Sequence, residues 1–133
     1  MAALDTNVLL RLLLQDDPAQ LAVAQRLVKD RLDACELLFV PITLALELEW
    51  VLRSRFDLDK AAVLHTFAQL LSTMELQFES VAALEWALRQ YKLAATDFSD
   101  CLHAALATSA GEGPLWTFDK AAARVDGASL LMA

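Results

Sequence analysis

The chain has 133 residues, of which 57% are hydrophobic, and its formal net charge is −7. This length suits a single domain with a sizeable core, and the negative charge excludes non-specific attraction of nucleic acid by the surface as a whole. The three glycines form neither a GxGxxG motif nor a P-loop, which excludes the common nucleotide-binding motifs of α/β proteins.

Short apolar runs alternate with segments of helical spacing along the whole chain. In order, the predicted elements are strand 2–4, helices 8–14 and 18–33, strand 37–40, helices 44–55 and 60–73, strand 75–78, helices 81–92 and 97–109, strand 115–118, helix 119–124 and strand 129–132. Asp17, Thr43 and Asp59 have the positions of helix N-caps. Strands that alternate with helices indicate an α/β fold with a parallel sheet and right-handed crossovers.

Two aspartates stand where predicted strands end. Asp5 follows the first strand and Asp119 follows the fourth. Since α/β proteins bind ligands at the carboxyl ends of their strands, we expect both side chains in one crevice. Thr117 could turn its hydroxyl toward the same crevice. Helix capping is the alternative role for each aspartate.

Glu47 is the candidate that the helical pattern singles out. On a helical wheel, Glu49 and Arg53 lie together as an i,i+4 pair, which is typical of a solvent-facing surface. Glu47 then points nearly the opposite way, toward the interior, where a carboxylate is costly unless it is paired or bound to a metal. A buried Glu47 paired with Arg55 is the alternative.

Asp97 and Asp100 lie three residues apart in the first turn of a predicted helix. Their alternative role is to cap that helix and to stabilise its positive end. Capping does not exclude metal binding, because it also orients a carboxylate. His103 follows on the same helix and could touch substrate, although a histidine in such a position is more often a satisfied, partly buried residue.

A crevice that collects several carboxylates favours a divalent cation. Ionised carboxylates at close quarters repel one another, and a bound cation relieves that repulsion. An all-oxygen set suits Mg²⁺ or Mn²⁺. No Cys/His pattern favours zinc.

The remaining signals concern the compartment. No segment has the pattern of a signal peptide, and no apolar run is long enough to span a membrane. Cys35 and Cys101 lie in separate predicted elements and are expected to be buried free thiols. These features predict a cytoplasmic protein.

Four motifs resemble the PIN domains and, among them, the VapC-type toxin ribonucleases of bacterial toxin–antitoxin pairs. They are Leu4-Asp5-Thr6-Asn7-Val8-Leu9, Glu47-Leu48-Glu49-Trp50-Val51-Leu52, Asp97-Phe98-Ser99-Asp100 with Cys101-Leu102-His103-Ala104-Ala105 behind it, and Thr117-Phe118-Asp119-Lys120. Asp-Thr-Asn alone is a weak signal, whereas all four motifs in this order, along essentially the whole chain, are specific. His103 departs from the family pattern, in which an aliphatic residue is usual.

The resemblance implies a three-layer fold, with helices on both faces of a five-stranded parallel sheet of strand order 3-2-1-4-5. It also implies that Asp5, Glu47, Asp100 and Asp119 match the four acids of the family, with Asp97 a common extra acid. A homodimer is implied as well, and the hydrophobic surplus of residues 44–73 predicts one independently.

The implied activity is metal-dependent cleavage of RNA, held in check by a VapB-like antitoxin. Asp5, Asp97 and Asp100 are the expected ligands of Mg²⁺ or Mn²⁺. Glu47 or Asp97 is the expected base, and Asp119 is expected to complete the shell. The residues expected to contact phosphate or the outer shell are Thr6, Asn7 and Thr117.

Two other functions fit parts of the pattern. One is a phosphoryl-transfer enzyme with an aspartyl nucleophile, although Asp5-Thr6-Asn7 lacks the second aspartate of the haloacid dehalogenase motif. The other is a non-catalytic α/β binding module whose acids are helix caps. Metal-dependent RNA cleavage and trapping of an aspartyl-phosphate distinguish the three.

Overall fold

The computed structural model describes residues 2–132. Within that range it has five short strands, six α-helices and one turn of 3-10 helix. In chain order they are β1 (Ala2–Ala3), α1 (Thr6–Leu14), α2 (Pro18–Asp33), β2 (Leu38–Val40), α3 (Ile42–Ser54), α4 (Lys60–Leu71), β3 (Leu76–Phe78), α5 (Val81–Leu93), α6 (Phe98–Ser109), β4 (Leu115–Thr117), the 3-10 helix (Ala122–Arg124) and β5 (Ala128–Leu130). The predicted alternation of strands and helices is confirmed, and the predicted helix at 119–124 shortens to the 3-10 turn.

The strands form two parallel sheets instead of one. β2 is the central strand of a three-stranded sheet of order β1-β2-β3, while β4 pairs with β5 alone. Across residues 2–132 no ladder joins β1 to β4, so the predicted continuous sheet of order 3-2-1-4-5 is wrong. β1 has only two residues, so it offers few backbone groups for a second ladder on its other edge.

Aspartates begin two of the helices as predicted. Asp17 accepts a hydrogen bond from the backbone N–H of Gln20 at 3.1 Å, with Pro18 as the first residue of α2. Asp59 accepts one from the N–H of Ala62 at 2.8 Å and so begins α4. Each bond satisfies a backbone donor that the first helical turn leaves without an intrahelical partner.

The helix α3 is capped from another element. Thr43 lies inside the helix and does not cap it, so that prediction is wrong. Glu79, just after β3, accepts a hydrogen bond from the N–H of Ile42 at 2.8 Å. Its carboxylate also lies at the positive end of the helix, where negative charge is stabilising. Glu79 therefore fixes the start of α3 relative to the three-stranded sheet.

The core gathers buried side chains from β2 and from the helices α1 and α3 to α6. Leu38 and Val40 of β2 are buried, as expected for a central parallel strand. Phe98, the first residue of α6, packs its ring 5.8 Å from that of Phe67 and 5.4 Å from that of Tyr91. These aromatic contacts join α4, α5 and α6 beneath the start of α6. Over the described range 2–132, no helix is both long enough and apolar enough to cross a bilayer.

The two cysteines differ in exposure, which corrects the expectation that both are buried. Cys35 is exposed in the turn after α2, and Cys101 is buried in α6. Burial, and then the charge of Asp100, raise the pKa of the Cys101 thiol to about 11. Since the thiolate is the reactive form, Cys101 is inert at neutral pH.

A thiol reagent is expected to modify Cys35 in the native protein and to reach Cys101 only after unfolding. Mass spectrometry of samples taken over a time course, in buffer and in denaturant, measures both rates. Equal rates of modification in the native protein would contradict the packing of α6 described here.

Candidate active site

Asp5 begins α1 at the carboxyl end of β1. Its Oδ1 accepts a hydrogen bond from the backbone N–H of Asn7 at 2.8 Å, so the capping role considered for it is real. The bond engages one of the two carboxylate oxygens, and the side chain is exposed. Asp5 can therefore cap α1 and bind a ligand at the same time.

Asp5 and Glu47 line the same cavity, which we call the β1 crevice. It has a volume of about 340 Å³. Its lining residues are Leu4, Asp5, Thr6, Asn7, Pro41, Thr43, Leu44 and Glu47. Two carboxylates, an amide and two hydroxyls thus line one space, and they belong to the segments that follow β1 and β2, as in the ligand sites of parallel sheets. Of the expected outer-shell residues, Asn7 is exposed and Thr6 is buried.

A second cavity, the α3 crevice, adjoins the first. It has a volume of about 520 Å³. Its lining residues are Thr43, Leu46, Glu47, Glu49, Trp50, Arg53, Asp97 and Ser99. Thr43 and Glu47 line both cavities, so the two cavities are neighbours. Glu47 stands between Asp5 on one side and Asp97 on the other.

Asp97 and Asp100 have different surroundings at the start of α6. Asp97 occupies the N-cap position of α6 but makes no side-chain capping bond, and its exposed carboxylate lines the α3 crevice. Asp100 is half-buried and accepts a hydrogen bond from the hydroxyl of Thr96 at 2.7 Å. Asp100 lines neither crevice. The structure thus brings Asp97 toward Glu47 and keeps Asp100 one turn further along.

Asp119 and Thr117 form a local turn after β4. Asp119 accepts hydrogen bonds from the N–H groups of Ala121 and Ala122 at 2.8 and 3.4 Å. The hydroxyl of Thr117 accepts one from the N–H of Asp119 at 3.0 Å. Asp119 is exposed and lines neither crevice. These bonds hold a turn, and the N-cap position of the 3-10 helix belongs to Ala121, which makes no side-chain capping bond.

The predicted orientations of Glu47 and Glu49 are reversed. Glu49 is buried, with 3% of its surface exposed, and Glu47 is exposed. The inward face of α3 passes through Ala45, Leu48 and Leu52, and Glu49 lies beside it. An i,i+4 pair with arginine was a poor marker of the solvent face, because a long arginine can reach a buried carboxylate from the edge of a helix.

Glu49 is satisfied by two partners. Its Oε2 accepts hydrogen bonds from Nε of Arg53 at 2.9 Å and from the hydroxyl of Tyr91 at 3.1 Å. The hydrogen bond and the charge of Glu49 raise the pKa of Arg53 above its already high ordinary value. Burial, followed by the charge of Glu49, raises the pKa of Tyr91 to about 12. Because both pKa values are raised, Arg53 stays charged and Tyr91 stays neutral at neutral pH.

Tyr91 is the only tyrosine of the chain, so its ionisation can be followed by ultraviolet absorbance. We expect a midpoint near pH 12 in the native protein and near the ordinary value of about 10 in denaturant. Because the folded pKa is the higher one, the neutral phenol stabilises the fold fully below pH 10, and this contribution is lost as the pH rises toward 12. A native midpoint near 10 with the fold intact would contradict the buried contact with Glu49.

The donor set at the β1 crevice fits a hard divalent cation. Its side-chain donors are the oxygens of carboxylates, hydroxyls and an amide, which Mg²⁺ and Mn²⁺ prefer. Among residues 2–132, no three His, Cys, Asp or Glu side chains are gathered closely enough to enclose an ion. Mg²⁺ is commonly held by one or two carboxylates together with water and substrate phosphate. Asp5 and Glu47 meet that requirement.

Six residues that line the α3 crevice were not predicted as site residues from the sequence, among them Trp50, Arg53 and Ser99. A signal for two of them is visible in retrospect, because Glu47, Trp50 and Arg53 recur every three residues and so share one side of α3. No local signal indicates Tyr91, which reaches Glu49 from 42 residues further along the chain.

Comparison with known proteins agrees with this geometry. A search of curated proteins finds no significant match. A scan against family models matches the PIN domain over residues 2–128, which is nearly the whole chain. The match includes β1 with Asp5, α3 with Glu47 and the start of α6 with Asp97. The chain therefore belongs to the PIN domain family, whose members are generally metal-dependent nucleases.

Proposed function

We propose that this protein is a metal-dependent endoribonuclease, and that it acts as the VapC-type toxin of a toxin–antitoxin pair. The observation that carries the nuclease proposal is the lining of the β1 crevice. Asp5 and Glu47 face one cavity at the carboxyl end of β1, and Asp97 faces Glu47 across the adjoining α3 crevice. Membership of the PIN family supports the same reaction class.

Asp5 and Glu47 are the residues placed to hold Mg²⁺ or Mn²⁺ in this proposal. Asp97 lines the adjoining α3 crevice. Asp100 and Asp119, which the resemblance matches to acids of the family, line neither crevice. When bound, the cation would act as a Lewis acid on the phosphodiester, neutralise charge in the transition state and make water a better nucleophile at neutral pH. The negative charge of the crevice favours binding of the cation before the polyanionic RNA arrives.

The chain itself would orient the reactants and accept a proton. Glu47 and Asp97 are exposed carboxylates that face the same crevice, so either can take the proton of the attacking water. Asn7 lines the β1 crevice with an exposed amide that can donate to a phosphate oxygen. Thr6, which lines the same crevice, would contribute through the outer shell, whereas Thr117 lines neither crevice.

The partners proposed for the protein are a second copy and a VapB-like antitoxin. Exposed large apolar side chains such as Val23 and Leu93 support association with another protein surface. An acidic crevice is a natural receptor for an arginine, which pairs with carboxylates bidentately. Light scattering should give the mass of a dimer, and an antitoxin segment carrying arginine should inhibit in competition with the metal or the RNA.

The function is tested by incubating the purified protein with end-labelled single-stranded RNA and with single-stranded DNA of the same sequence. We expect cleavage of the RNA with Mg²⁺ or Mn²⁺ and none with EDTA. Undiminished cleavage in EDTA, or no cleavage with either metal, would overturn the proposal. In the second case, trapping of an aspartyl-phosphate would indicate phosphoryl transfer, and its absence would indicate a binding module.

A further inference from the structure

One side of α3 combines a carboxylate, an aromatic ring and a cation. Glu47, Trp50 and Arg53 follow one another at intervals of three residues and line the α3 crevice. Asp97 and Ser99, at the start of α6, line the same crevice. The catalytic proposal uses Glu47 and Asp97 and leaves Trp50, Arg53 and Ser99 without a role.

Arg53 is held in place by buried groups. Glu49 accepts the hydrogen bond of its Nε at 2.9 Å, and the hydroxyl of Tyr91 binds the same carboxylate oxygen at 3.1 Å. The side chain of Arg53 is 47% exposed and lines the crevice, and the bond through Nε does not engage its two terminal nitrogens. Among the described residues 2–132, it is the one basic side chain that lines either crevice. A guanidinium fixed in this way is preorganised to bind a phosphate group.

Trp50 presents an exposed indole beside this cation. It is 52% exposed although it is among the largest apolar side chains. Aromatic rings next to positive charge are the usual platform for unpaired nucleotides, because every base has a face that can stack. In a duplex that face is already covered by the neighbouring base pairs. The hydroxyls of Thr43 and Ser99 line the same space and can bond to a ribose hydroxyl.

We propose that the α3 crevice is a binding subsite for one unpaired nucleotide of RNA, next to the cleavage site at the β1 crevice. Arg53 binds the phosphate of this nucleotide, and Trp50 stacks on its base. Glu49 and Tyr91 are positioning residues that act through Arg53. The identification of the ligand as RNA rests on the proposed nuclease function. The subsite makes the enzyme select single-stranded segments, since a base-paired nucleotide cannot reach Trp50.

Binding is measured in EDTA, where the proposed enzyme does not cleave, by fluorescence anisotropy of a labelled single-stranded RNA oligonucleotide. Trp50→Ala and Arg53→Gln are each expected to raise Kd about tenfold or more. Two matched controls are Trp116→Ala and Arg26→Gln, which change an exposed tryptophan and an exposed arginine that line neither crevice. Both controls are expected to keep Kd within about twofold, on the scale of ordinary surface substitutions.

The salt dependence separates the two roles. A phosphate contact releases about one counterion, so Arg53→Gln should make the slope of log K against log salt shallower by roughly 0.7, the value for single strands. Trp50→Ala should weaken binding and leave the slope unchanged. Arg53→Lys should restore the slope but only part of the affinity, because lysine lacks the planar fork. Glu49→Gln should weaken binding less than Arg53→Gln. A general loss of structure would produce none of these distinctions.

The subsite and the nuclease function can fail separately. Binding that depends on Trp50 and Arg53, in a protein that cleaves nothing, would preserve the subsite and overturn the nuclease. Normal cleavage with wild-type affinity in both variants would overturn the subsite alone. The subsite would also be overturned if the protein failed to bind the oligonucleotide, or if it bound duplex and single strand with equal affinity. A third contrary result would be a Trp50→Ala variant that binds RNA with unchanged affinity and releases it to polyglutamate. The last result would point to an acidic protein segment as the ligand.

Discussion

Replacing Asp5 by asparagine is expected to lower the rate of RNA cleavage by about a hundredfold or more. The substitution keeps the shape of the side chain and removes its charge from the β1 crevice, so the cation that stabilises the transition state is held less well. A hundredfold loss corresponds to about 2.7 kcal/mol of transition-state stabilisation. Glu47→Gln should give a loss of similar size, because Glu47 is the second carboxylate of the same crevice.

The fold should survive the change at Asp5. Asparagine is as good an N-cap as aspartate, so the bond to the N–H of Asn7 can be kept. Glu85→Gln, an exposed acid on α5 that lines neither crevice, is the control for loss of charge alone. Initial rates with saturating Mg²⁺ and circular dichroism of each variant provide the measurement. Equal losses in Asp5→Asn and Glu85→Gln would mean that the site has been placed wrongly.

Replacing Phe98 by alanine is expected to destabilise the protein by about 3–5 kcal/mol. Phe98 is 1% exposed and contacts the rings of Phe67 and Tyr91, so its removal leaves a cavity where α4, α5 and α6 meet. Native domains are stable by only about 5–15 kcal/mol, so this loss is a large share of the total. Since Phe98 lies between Asp97 and Ser99, the active site should be lost along with the packing.

Phe118→Ala is the matched control for that loss. Phe118 is 72% exposed, and its truncation should change the free energy of unfolding by about 0.5 kcal/mol or less. Urea denaturation followed by circular dichroism compares the two variants with the wild type. A small effect at Phe98 together with a large one at Phe118 would contradict the core described here. It would also remove the support for the position of α6 beside α3.

Local chemistry predicted most elements of the fold. Asp17 and Asp59 begin helices as their sequence positions indicated, because an N-cap acts within three residues of itself. Local sequence does not predict how α3 is capped, because its first N–H donates to Glu79, which lies 37 residues away in the sequence. The predicted single sheet failed for a related reason: the length and partners of very short strands depend on tertiary packing more than on local pattern.

In the candidate site, too, some residues are predictable from the local sequence and others depend on tertiary contacts. Asp5 follows a strand, and its place in a crevice was readable from that position alone. The helical pattern predicts that Glu47 is buried and Glu49 exposed, and the structure shows the opposite. A pair with Arg53 does not indicate exposure of the glutamate, because the half-exposed arginine reaches the buried carboxylate. Tyr91, the contact that makes burial of Glu49 tolerable, lies on another helix and gives no local signal.

The position of the cation tests the central claim most directly. Crystals soaked with MnCl₂ and measured near the manganese absorption edge would locate the ion by its anomalous scattering. We expect a peak at ligand distance from the carboxylates of Asp5 and Glu47, and no such peak in crystals of the Asp5→Asn variant. Manganese bound only at another site, or a peak of the same strength at the same place in the variant, would contradict the assignment of these two acids as the metal-binding residues.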